Sequence, residues 1–195
     1  PQSVDEDNSL LINYIATDAN NDALTATVTA TNGTAVITEA GQILFTPNAN
    51  FNGAAEIVLT ITDGLLTTIQ TIAITVNPVN DVPTISADAT TVIEDAAALL
   101  TTGGTITVVD VDVNESFVTP QTNVAGLYGT FNIAANGVWT YSADNTQSAI
   151  QALGETETLT ETFAVTSLDG TATTNVVVTI QGTNDLPELS VVDTI

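Results

Sequence analysis

The sequence predicts an all-β protein built from tandem β-sandwich modules, and three observations support this prediction. Short runs such as Glu56–Thr62 and Thr67–Val76 alternate apolar and polar residues, which is the periodicity of strands with one buried face. Turn-forming residues separate such runs at the spacing typical of a sandwich. Short acidic segments, among them an Asp-rich loop and an Asn-Asp-x-Pro segment, also occur twice in the same order. We therefore expect two related modules, one after the other.

Two Asn-Asp-x-Pro segments set the predicted module boundaries. Asn80 to Pro83 and Asn184 to Pro187 each follow a run typical of a final strand, and each proline holds the residue before it extended. We predict a first module at 1–82, a second at 83–186, and the first strand of a third at 187–195. The chain starts at Pro1 without Met or a signal sequence, so we expect an internal segment of a longer protein.

Each module is predicted to contain several short strands. Those of the first are Leu10–Ile15, Leu24–Ala30, Ala35–Thr38, Gln42–Thr46, Glu56–Thr62 and Thr67–Val76. Those of the second are Thr105–Val111, Tyr128–Ile133, Val138–Tyr141, Glu161–Ser167 and Ala172–Ile180. A helical turn is expected at 148–153, with Ile150 and Leu153 facing the core and Gly154 as its C-cap.

Composition excludes many functions. The chain carries 23 Asp and Glu residues, no Lys, Arg, His or Cys, and a net charge of −23. Without cationic side chains it has no phosphate-binding patch, so we expect no nucleic-acid partner and no adhesion to anionic lipid. His- and Cys-dependent catalysis, the familiar zinc sites built on His or Cys, and disulfides are impossible. No apolar stretch is long enough to span a membrane. Only cations from solution can neutralise these carboxylates.

The acidic markers indicate oxygen ligands for calcium. Two loops place such side chains at alternate positions, Asp18, Asn20 and Asp22 in the first module and Asp110, Asp112 and Asn114 in the second. Calcium binds six to eight oxygens in flexible geometry. An EF-hand is rejected, because Ala23 and Glu115 stand where its loop requires glycine. A calcium loop between strands remains, and a solvated turn is the alternative.

Two further features are interpreted as structural. Trp139 and Tyr141 lie at strand spacing and favour core packing over stacking on a sugar. Glu155, Glu157 and Glu161 are interpreted as a charged edge that discourages aggregation.

Motifs in both modules resemble known bacterial repeats. The second module has Gly126–Phe131, Ala135–Tyr141, Gln151–Gly154, Glu161–Phe163 and Gly182–Asp185, and with these it resembles a VCBS repeat. The first has Ala16–Asp18, Phe45–Asn48, Asn50–Gly53, Thr62–Gly64 and Asn77–Pro83, and with these it resembles bacterial cadherin-like tandem repeats. The resemblance implies immunoglobulin/cadherin-like sandwiches in a linear array, as in repeats-in-toxin adhesins, with calcium between domains. Their glycine-rich calcium nonapeptides are missing from this sequence.

The resemblance also implies ligand roles at each joint. It assigns them to Glu6, Asp63, Asn80 and Asp81, and then to Glu94, Asp169, Asn184 and Asp185. On this basis Asp63 from the first module and Glu94 from the second are expected to join Asn80 and Asp81 in one site. These repeats often carry Asp at the position of Asn20. We therefore expect the loop that contains Asn20 to bind calcium more weakly.

We expect a non-enzymatic extender segment of a secreted bacterial surface adhesin, stiffened by Ca²⁺ and projecting a distal binding domain in adhesion or biofilm formation. Its partners would be neighbouring modules of the same chain. One alternative is a subunit of an extracellular fibre, in which Glu188 to Ile195 adds as a strand to an identical chain. The other is a carbohydrate-binding module that uses Trp139. An enzyme would need a carboxylate pair in a cleft, which no strand pattern here predicts.

Overall fold

A computed structural model describes residues 2–187 and 189 of the chain. The chain divides into two compact units, Pro1–Asn80 (unit 1) and Asp81–Ile195 (unit 2). The strands of unit 1 are β1 (Gln2–Asp5), β2 (Leu10–Asn13), β3 (Thr25–Thr31), β4 (Gly33–Ile37), β5 (Gln42–Pro47), β6 (Gly53–Thr62) and β7 (Thr67–Asn77). Those of unit 2 are β8 (Thr84–Ile85), β9 (Asp88–Ile93), β10 (Leu99–Thr105), β11 (Val108–Val109), β12 (Gln121–Ala125), β13 (Gly129–Ile133), β14 (Val138–Asp144), β15 (Thr158–Thr166) and β16 (Thr173–Gln181).

Within the described ranges all regular structure is strand, which confirms the predicted all-β class. None of these residues forms a helix of the length and apolarity needed to cross a membrane.

Unit 1 is a sandwich of two sheets. One has the strand order β1-β7-β6-β3 and the other β2-β5-β4. Along β6 the inward side chains Ala55, Ile57 and Leu59 are buried, because successive residues of a strand point to opposite faces. They pack in one core with Ile43 and Phe45 of the second sheet. The predicted alternation therefore identified the buried face correctly.

Strand register defines two ends of unit 1. The β6–β7 hairpin pairs Thr62 with Thr67 next to its turn, and Gly53 with Val76 at its open end. We call the turn side the leading end. The other side is the trailing end, where β1 runs parallel to β7 and pairs Asp5 with Asn77.

Unit 2 has a three-stranded sheet, β15-β16-β9, a four-stranded sheet, β10-β14-β13-β12, and a two-stranded ribbon of β8 and β11. The sheets share a core in which Phe131 stacks on Phe163, with ring centroids 4.7 Å apart. Its leading end lies before β16 begins, and its trailing end is where Ile93 of β9 pairs with Gln181 of β16.

The predicted strand Thr105–Val111 is wrong. β10 ends at Thr105, and β11 is a separate short strand of Val108 and Val109. Most of β10 was missed because Thr101 to Thr105 contains two adjacent glycines. Gly103 lies so close to β14 that an added Cβ would be 2.6 Å from the carbonyl oxygen of Trp139. This close approach requires glycine. Glycines interrupt the alternation of apolar and polar residues from which a strand is predicted.

The predicted turn at 148–153 is present, and Ile150 and Leu153 are buried in the core. Gly154 is not a left-handed C-cap, since it is not among the residues with positive φ. The predicted strand at 187–195 falls mostly outside the described residues. Pro187 and Leu189 are described, and both are exposed outside any strand.

Candidate metal centres

Three carboxylates meet at the leading end of unit 1. Oxygens of Asp18, Asp22 and Asp63 lie within 4.8 Å of one another. The loop is shaped locally: Oδ1 of Asp18 accepts the backbone N–H of Asn20 at 2.7 Å and that of Asp22 at 3.0 Å. Asn21 turns the chain with φ 61°, a conformation that Asn adopts more readily than most residues. The structure therefore brings Asp18 and Asp22 together with Asp63, and leaves Asn20 exposed.

Asp63 is held by the turn after β6. Its Oδ1 accepts the N–H groups of Leu66 at 2.6 Å and Leu65 at 2.7 Å. These bonds favour the charged form and lower the pKa of Asp63 below its usual value. Gly64 permits this turn with φ 94°. The backbone N–H groups thus hold this carboxylate in position and favour its ionised form.

A second acidic cluster occupies the leading end of unit 2. Oxygens of Asp110, Glu115 and Asp169 lie within 4.8 Å of one another. Oδ1 of Asp110 accepts the N–H of Asp112 at 2.9 Å, as Asp18 does for Asn20. Oδ2 of Asp110 and Oε2 of Glu115 are buried and have no hydrogen-bond partner. Such groups normally find a partner in a folded protein.

The electrostatics of this cluster disfavour ionisation of Glu115. Burial raises the pKa of Glu115, and the charges of Asp112, Asp110 and Asp169 raise it further. Carboxylates crowded in this way are relieved by a bound cation. The donor set contains only oxygen, which suits calcium or magnesium rather than a softer metal.

The linker residue Asp81 is connected to this leading end. Its backbone N–H donates to Oδ2 of Asp112 at 2.8 Å. Asp112 therefore contacts the first residue of unit 2 and, through its own N–H, Asp110. The predicted ligands Asp81, Asp110, Asp112 and Asp169 all belong to one region of unit 2.

The trailing ends of the units contain the predicted glutamates. Glu6 and Glu94 are each 1% exposed. Oε1 of Glu6 accepts the N–H of Val79 at 2.7 Å, and Oε2 of Glu94 accepts that of Thr183 at 3.0 Å. Val79 and Thr183 are the residues directly before the two Asn-Asp pairs. Each buried carboxylate thus forms a hydrogen bond with the backbone just after the final strand of its own unit.

The remaining predicted ligands are exposed. Asn80 is the last residue of unit 1. The side chain of Asn184 donates to the carbonyl oxygen of Asp185 at 3.2 Å. Asp95, next to Glu94, accepts the amides of Gln151 and Asn145, and these bonds lower its pKa.

The expected grouping of Asp63 and Glu94 with the linker is wrong. Asp63 follows the hairpin end at Thr62, whereas the linker leaves from the opposite end of β7. Glu94 lies at the trailing end of unit 2 beside Gln181, whose carbonyl oxygen accepts its N–H, while Asp81 contacts the leading end. Asp63 lies beside Asp18 and Asp22, and Glu94 accepts the N–H of Thr183. Neither residue joins Asn80 and Asp81 as expected.

Sequence reasoning missed Glu115 as a candidate ligand. The loop in unit 2 is one residue longer than that in unit 1, so Glu115 follows Asn114 as Asp22 follows Asn21. Both asparagines have positive φ, 69° and 61°. In each loop an acidic residue directly follows an asparagine, and this pattern could have identified Glu115 as a candidate ligand. It was overlooked because the two loops were compared with the spacing of an EF-hand.

The aromatic pair is buried, and so is one of the three glutamates of the expected charged edge. Trp139 and Tyr141 are each 1% exposed, which confirms core packing and leaves neither ring available to a sugar. Glu161 is only 6% exposed, so its interpretation as part of a charged edge is wrong. Its carboxylate accepts the hydroxyl of Tyr141 and the N–H of Tyr128, whereas Glu155 and Glu157 are exposed as expected.

Several solved structures are similar to this chain, and one cadherin structure among them shares its fold. The chain is similar to Drosophila N-cadherin EC1-4, with a TM-score of 0.54, 10% identity, and coverage of 93% of this chain and 46% of that one. Human protocadherin-24 EC1-2 gives a TM-score of 0.48 and 17% identity, with coverage of 89% and 87%. An endo-fucoidan hydrolase from glycoside hydrolase family 107 gives 0.35 and 17%, with coverage of 95% and 28%. At 10% identity, the similarity to N-cadherin shows the fold alone.

Family comparisons assign the two units differently from the sequence motifs. Residues 1–75 match the bacterial Ig domain, where we expected a cadherin-like repeat. Residues 80–182 match the bacterial cadherin-like domain, where we expected a VCBS repeat. No protein with a curated description matches the chain. Since the second match spans more than half of the sequence, the chain belongs to the bacterial cadherin-like domain family.

Proposed function

We propose that this chain is a calcium-dependent extender segment of a secreted bacterial surface adhesin of the repeats-in-toxin type. Its modules would have a structural role, which is to hold a distal binding domain away from the cell in adhesion and biofilm formation. Domains of the two matched families are typical of extracellular and surface proteins. The VCBS-type motifs of unit 2 support the same context.

One observation carries the calcium proposal. At the leading end of unit 2, Oδ2 of Asp110 and Oε2 of Glu115 are buried without hydrogen-bond partners, in a cluster that also contains Asp169. Leaving such groups unsatisfied is costly. The chain has no Lys, Arg or His to pair with them. A divalent cation from solution would satisfy both oxygens and remove the repulsion between the carboxylates.

The donors fit calcium. Asp110, Glu115 and Asp169 would hold the ion in unit 2, and Asp18, Asp22 and Asp63 in unit 1. All are carboxylates, and calcium accepts irregular oxygen sets better than magnesium does. Because the pKa of Asp63 is lowered by backbone N–H groups, the unit 1 cluster depends less on a cation. We therefore expect the site in unit 2 to show the stronger dependence on calcium.

Calcium would act on the start of unit 2 through Asp112. A cation beside Asp110 and Glu115 would order the loop that presents Asp112, and Asp112 accepts the N–H of Asp81. The linker would then enter unit 2 in a fixed conformation. Extracellular calcium modules bind with dissociation constants of about 10⁻⁴–10⁻³ M, so millimolar calcium would favour this ordered form by mass action.

Thermal unfolding with and without a chelator tests the proposal. We expect calcium to raise the midpoint of unit 2, and Asp110→Asn to remove most of that increase. Asp144→Asn is the matched control, since Asp144 accepts the N–H of Thr146 in an exposed turn away from the cluster. Equal midpoints in calcium and chelator for the unmodified chain would refute calcium dependence.

A further inference from the structure

Unit 2 leaves one edge of its three-stranded sheet uncovered. β15 is the outer strand of that sheet, and β16 pairs with its inner side over Thr158–Thr166. In unit 1 the counterpart of β15 is β6, which likewise pairs with the final strand. There β3, the strand after the acidic loop, covers the outer edge of β6 with all seven of its residues. The strand after the acidic loop of unit 2 is β12, and it joins β13 in the opposite sheet instead.

The segment that leads into β12 follows β15 for only a short distance. The N–H of Thr119 donates to the carbonyl oxygen of Thr166 at 2.9 Å. The side-chain amide of Gln121 donates to the carbonyl oxygen of Ala164, also at 2.9 Å. Beyond Gln121 the chain pairs with β13, with a shift of register before Val124. In the part of the chain that the structure describes, no strand forms a ladder with the outer edge of β15.

The uncovered part of β15 presents backbone hydrogen-bonding groups. The carbonyl oxygens of Ala164 and Thr166 face the outer edge, since they accept the two bonds just described. Alternate residues of a strand direct their N–H and C=O groups to the same edge. Thr160 and Thr162 therefore direct theirs outward, and both residues are exposed. Unpaired backbone of this kind is a template for an added strand.

A groove of about 500 Å³ lies beside this edge. Residues 124–127 line one side of it, and residues 160–164 of β15 line the other. Its volume lies in the range of clefts that bind ligands, about 300–1,000 Å³. Phe163 and Leu127 contribute apolar surface. Among the described residues that line the groove, Glu161 alone carries a charge.

Glu161 has acceptor capacity left for a further donor. Its Oε1 accepts the N–H of Tyr128 at 2.9 Å, and its Oε2 accepts the hydroxyl of Tyr141. An ionised carboxylate has about four acceptor sites, so these two neutral donors do not exhaust it. The sequence contains no Lys, Arg or His. A cationic side chain that complements Glu161 must therefore come from a different protein, and a second copy of this chain cannot supply it.

We infer that the outer edge of β15 binds an extended segment of a partner protein that carries a basic side chain. Antiparallel pairing would place the basic residue opposite Glu161, and its two neighbours would exchange backbone hydrogen bonds with Thr160 and Thr162. Residues opposite one another between such bonded pairs have Cα atoms only about 4.5 Å apart. The basic side chain would thus enter the groove and reach the carboxylate. The next residues on that face would lie opposite Leu159 and Phe163, where apolar side chains fit.

This mode of binding divides recognition between backbone and side chains. Hydrogen bonds along β15 would provide affinity, and the groove would select a basic residue between two apolar ones. The net charge of −23 would attract a cationic partner over a longer range, an effect that salt screens. The inference goes beyond the proposed function, because it requires no calcium and its failure would leave calcium binding untouched.

A capped peptide of sequence Thr-Val-Thr-Lys-Thr-Val-Thr is the probe. Fluorescence anisotropy of the labelled peptide, titrated with the whole chain, measures binding in chelator and about 0.15 M salt, where exposed charges beyond about 8 Å are screened. We expect saturable binding. Replacing lysine by norleucine should raise the dissociation constant about tenfold, as expected for loss of a hydrogen bond between charged groups. Absence of saturable binding at the highest attainable concentration, or equal affinity for the two peptides, would overturn the inference.

Variants of the chain locate the contact. Thr160→Pro removes one outward N–H, and an edge strand tolerates proline where that N–H faces solvent. It should weaken peptide binding about tenfold, whereas Thr160→Val keeps the backbone donor and should bind as the unmodified chain does. Glu161→Gln should abolish the preference for lysine over norleucine, and Glu155→Gln is the control at an exposed glutamate. Fluorescence of Trp139, the one tryptophan, reports whether the core of unit 2 is folded in each variant.

The outcomes separate the alternatives. Equal affinities of Thr160→Pro and Thr160→Val would show that the peptide does not pair with β15. A preference for lysine that persists in Glu161→Gln would show that another carboxylate binds the basic side chain. Sedimentation velocity of the chain alone gives the third result. Self-association that Thr160→Pro abolishes would assign the edge to a second copy, and would overturn its assignment to a basic partner.

Discussion

The carboxylate of Glu94 accepts a hydrogen bond from the backbone N–H of Thr183 at 3.0 Å, although 89 residues separate them in sequence. Glu6 and Val79 form the same contact in unit 1 at 2.7 Å. In both units the glutamate follows a strand that lies parallel to the final strand. Glu6 and Glu94 are therefore structural contacts within their units as well as candidate ligands.

Replacing Glu94 should destabilise unit 2 even in chelator. Glu94→Ala would leave the N–H of Thr183 without its acceptor and open a cavity, and loss of a hydrogen bond to a charged group costs about 1.5–3 kcal/mol. Glu94→Gln keeps an acceptor oxygen and should cost less. Chemical denaturation measures the free energies, with Glu155→Ala as the control at an exposed glutamate. If Glu94→Ala and Glu155→Ala change the free energy of unfolding equally, the proposed structural role of Glu94 is wrong.

Glu115→Gln should have opposite effects in chelator and in calcium. The raised pKa of Glu115 means that the native state keeps this proton to higher pH than the unfolded chain. In chelator, stability therefore falls as pH rises from the ordinary value of 4.5 through the raised pKa. Glutamine carries no charge, so the variant should be more stable than the unmodified chain at neutral pH without metal. It should also bind calcium more weakly.

Thermal midpoints at several pH values, in calcium and in chelator, check this prediction. The stabilisation in chelator should shrink towards low pH, where Glu115 of the unmodified chain is also neutral. A variant that is less stable in both buffers would show that Glu115 has an ordinary structural role.

Tyr141→Phe should destabilise the core of unit 2. The hydroxyl of Tyr141 donates to buried Glu161, and burial together with that carboxylate raises the pKa of Tyr141 far above its usual range. The hydroxyl thus remains a donor throughout the accessible pH range. Its removal should cost about 1–3 kcal/mol, since a buried carboxylate oxygen loses its partner. Denaturant unfolding measures the loss, and Tyr14→Phe, at a partly buried tyrosine of unit 1, is the comparison.

The sequence predicted the long strands well, and the short ones poorly. In β6 and β7 the alternation of Ile and Leu with Thr reflects one buried face, so local pattern and tertiary burial agree. β8 and β11 are two residues each, too short for any period to appear. β10 contains Gly103, where an added Cβ would meet Trp139 of β14, and Gly104, where it would meet Asp88 of β9 and Trp139. Contacts of that kind are not visible locally.

The candidate ligands were predicted better than their grouping. Asp18, Asp22 and Asp110 were identified from residue type and spacing, because calcium needs several oxygens in one loop. Asp169 was identified from the resemblance to bacterial cadherin-like repeats. Their partners depend on strand register, which places Asp63 with Asp18 rather than near the linker. Register over a ten-residue strand cannot be deduced from a motif that marks only the strand's end.

The measurement that tests the calcium proposal most directly is a calorimetric titration of the whole chain with calcium, beside Asp110→Asn and the Asp144→Asn control. We predict saturable binding in the range of about 10⁻⁴–10⁻³ M or tighter, retained in Asp144→Asn and weakened at the site of unit 2 in Asp110→Asn. Absence of saturable binding to the unmodified chain, or identical isotherms for the two variants, would contradict the proposed calcium site.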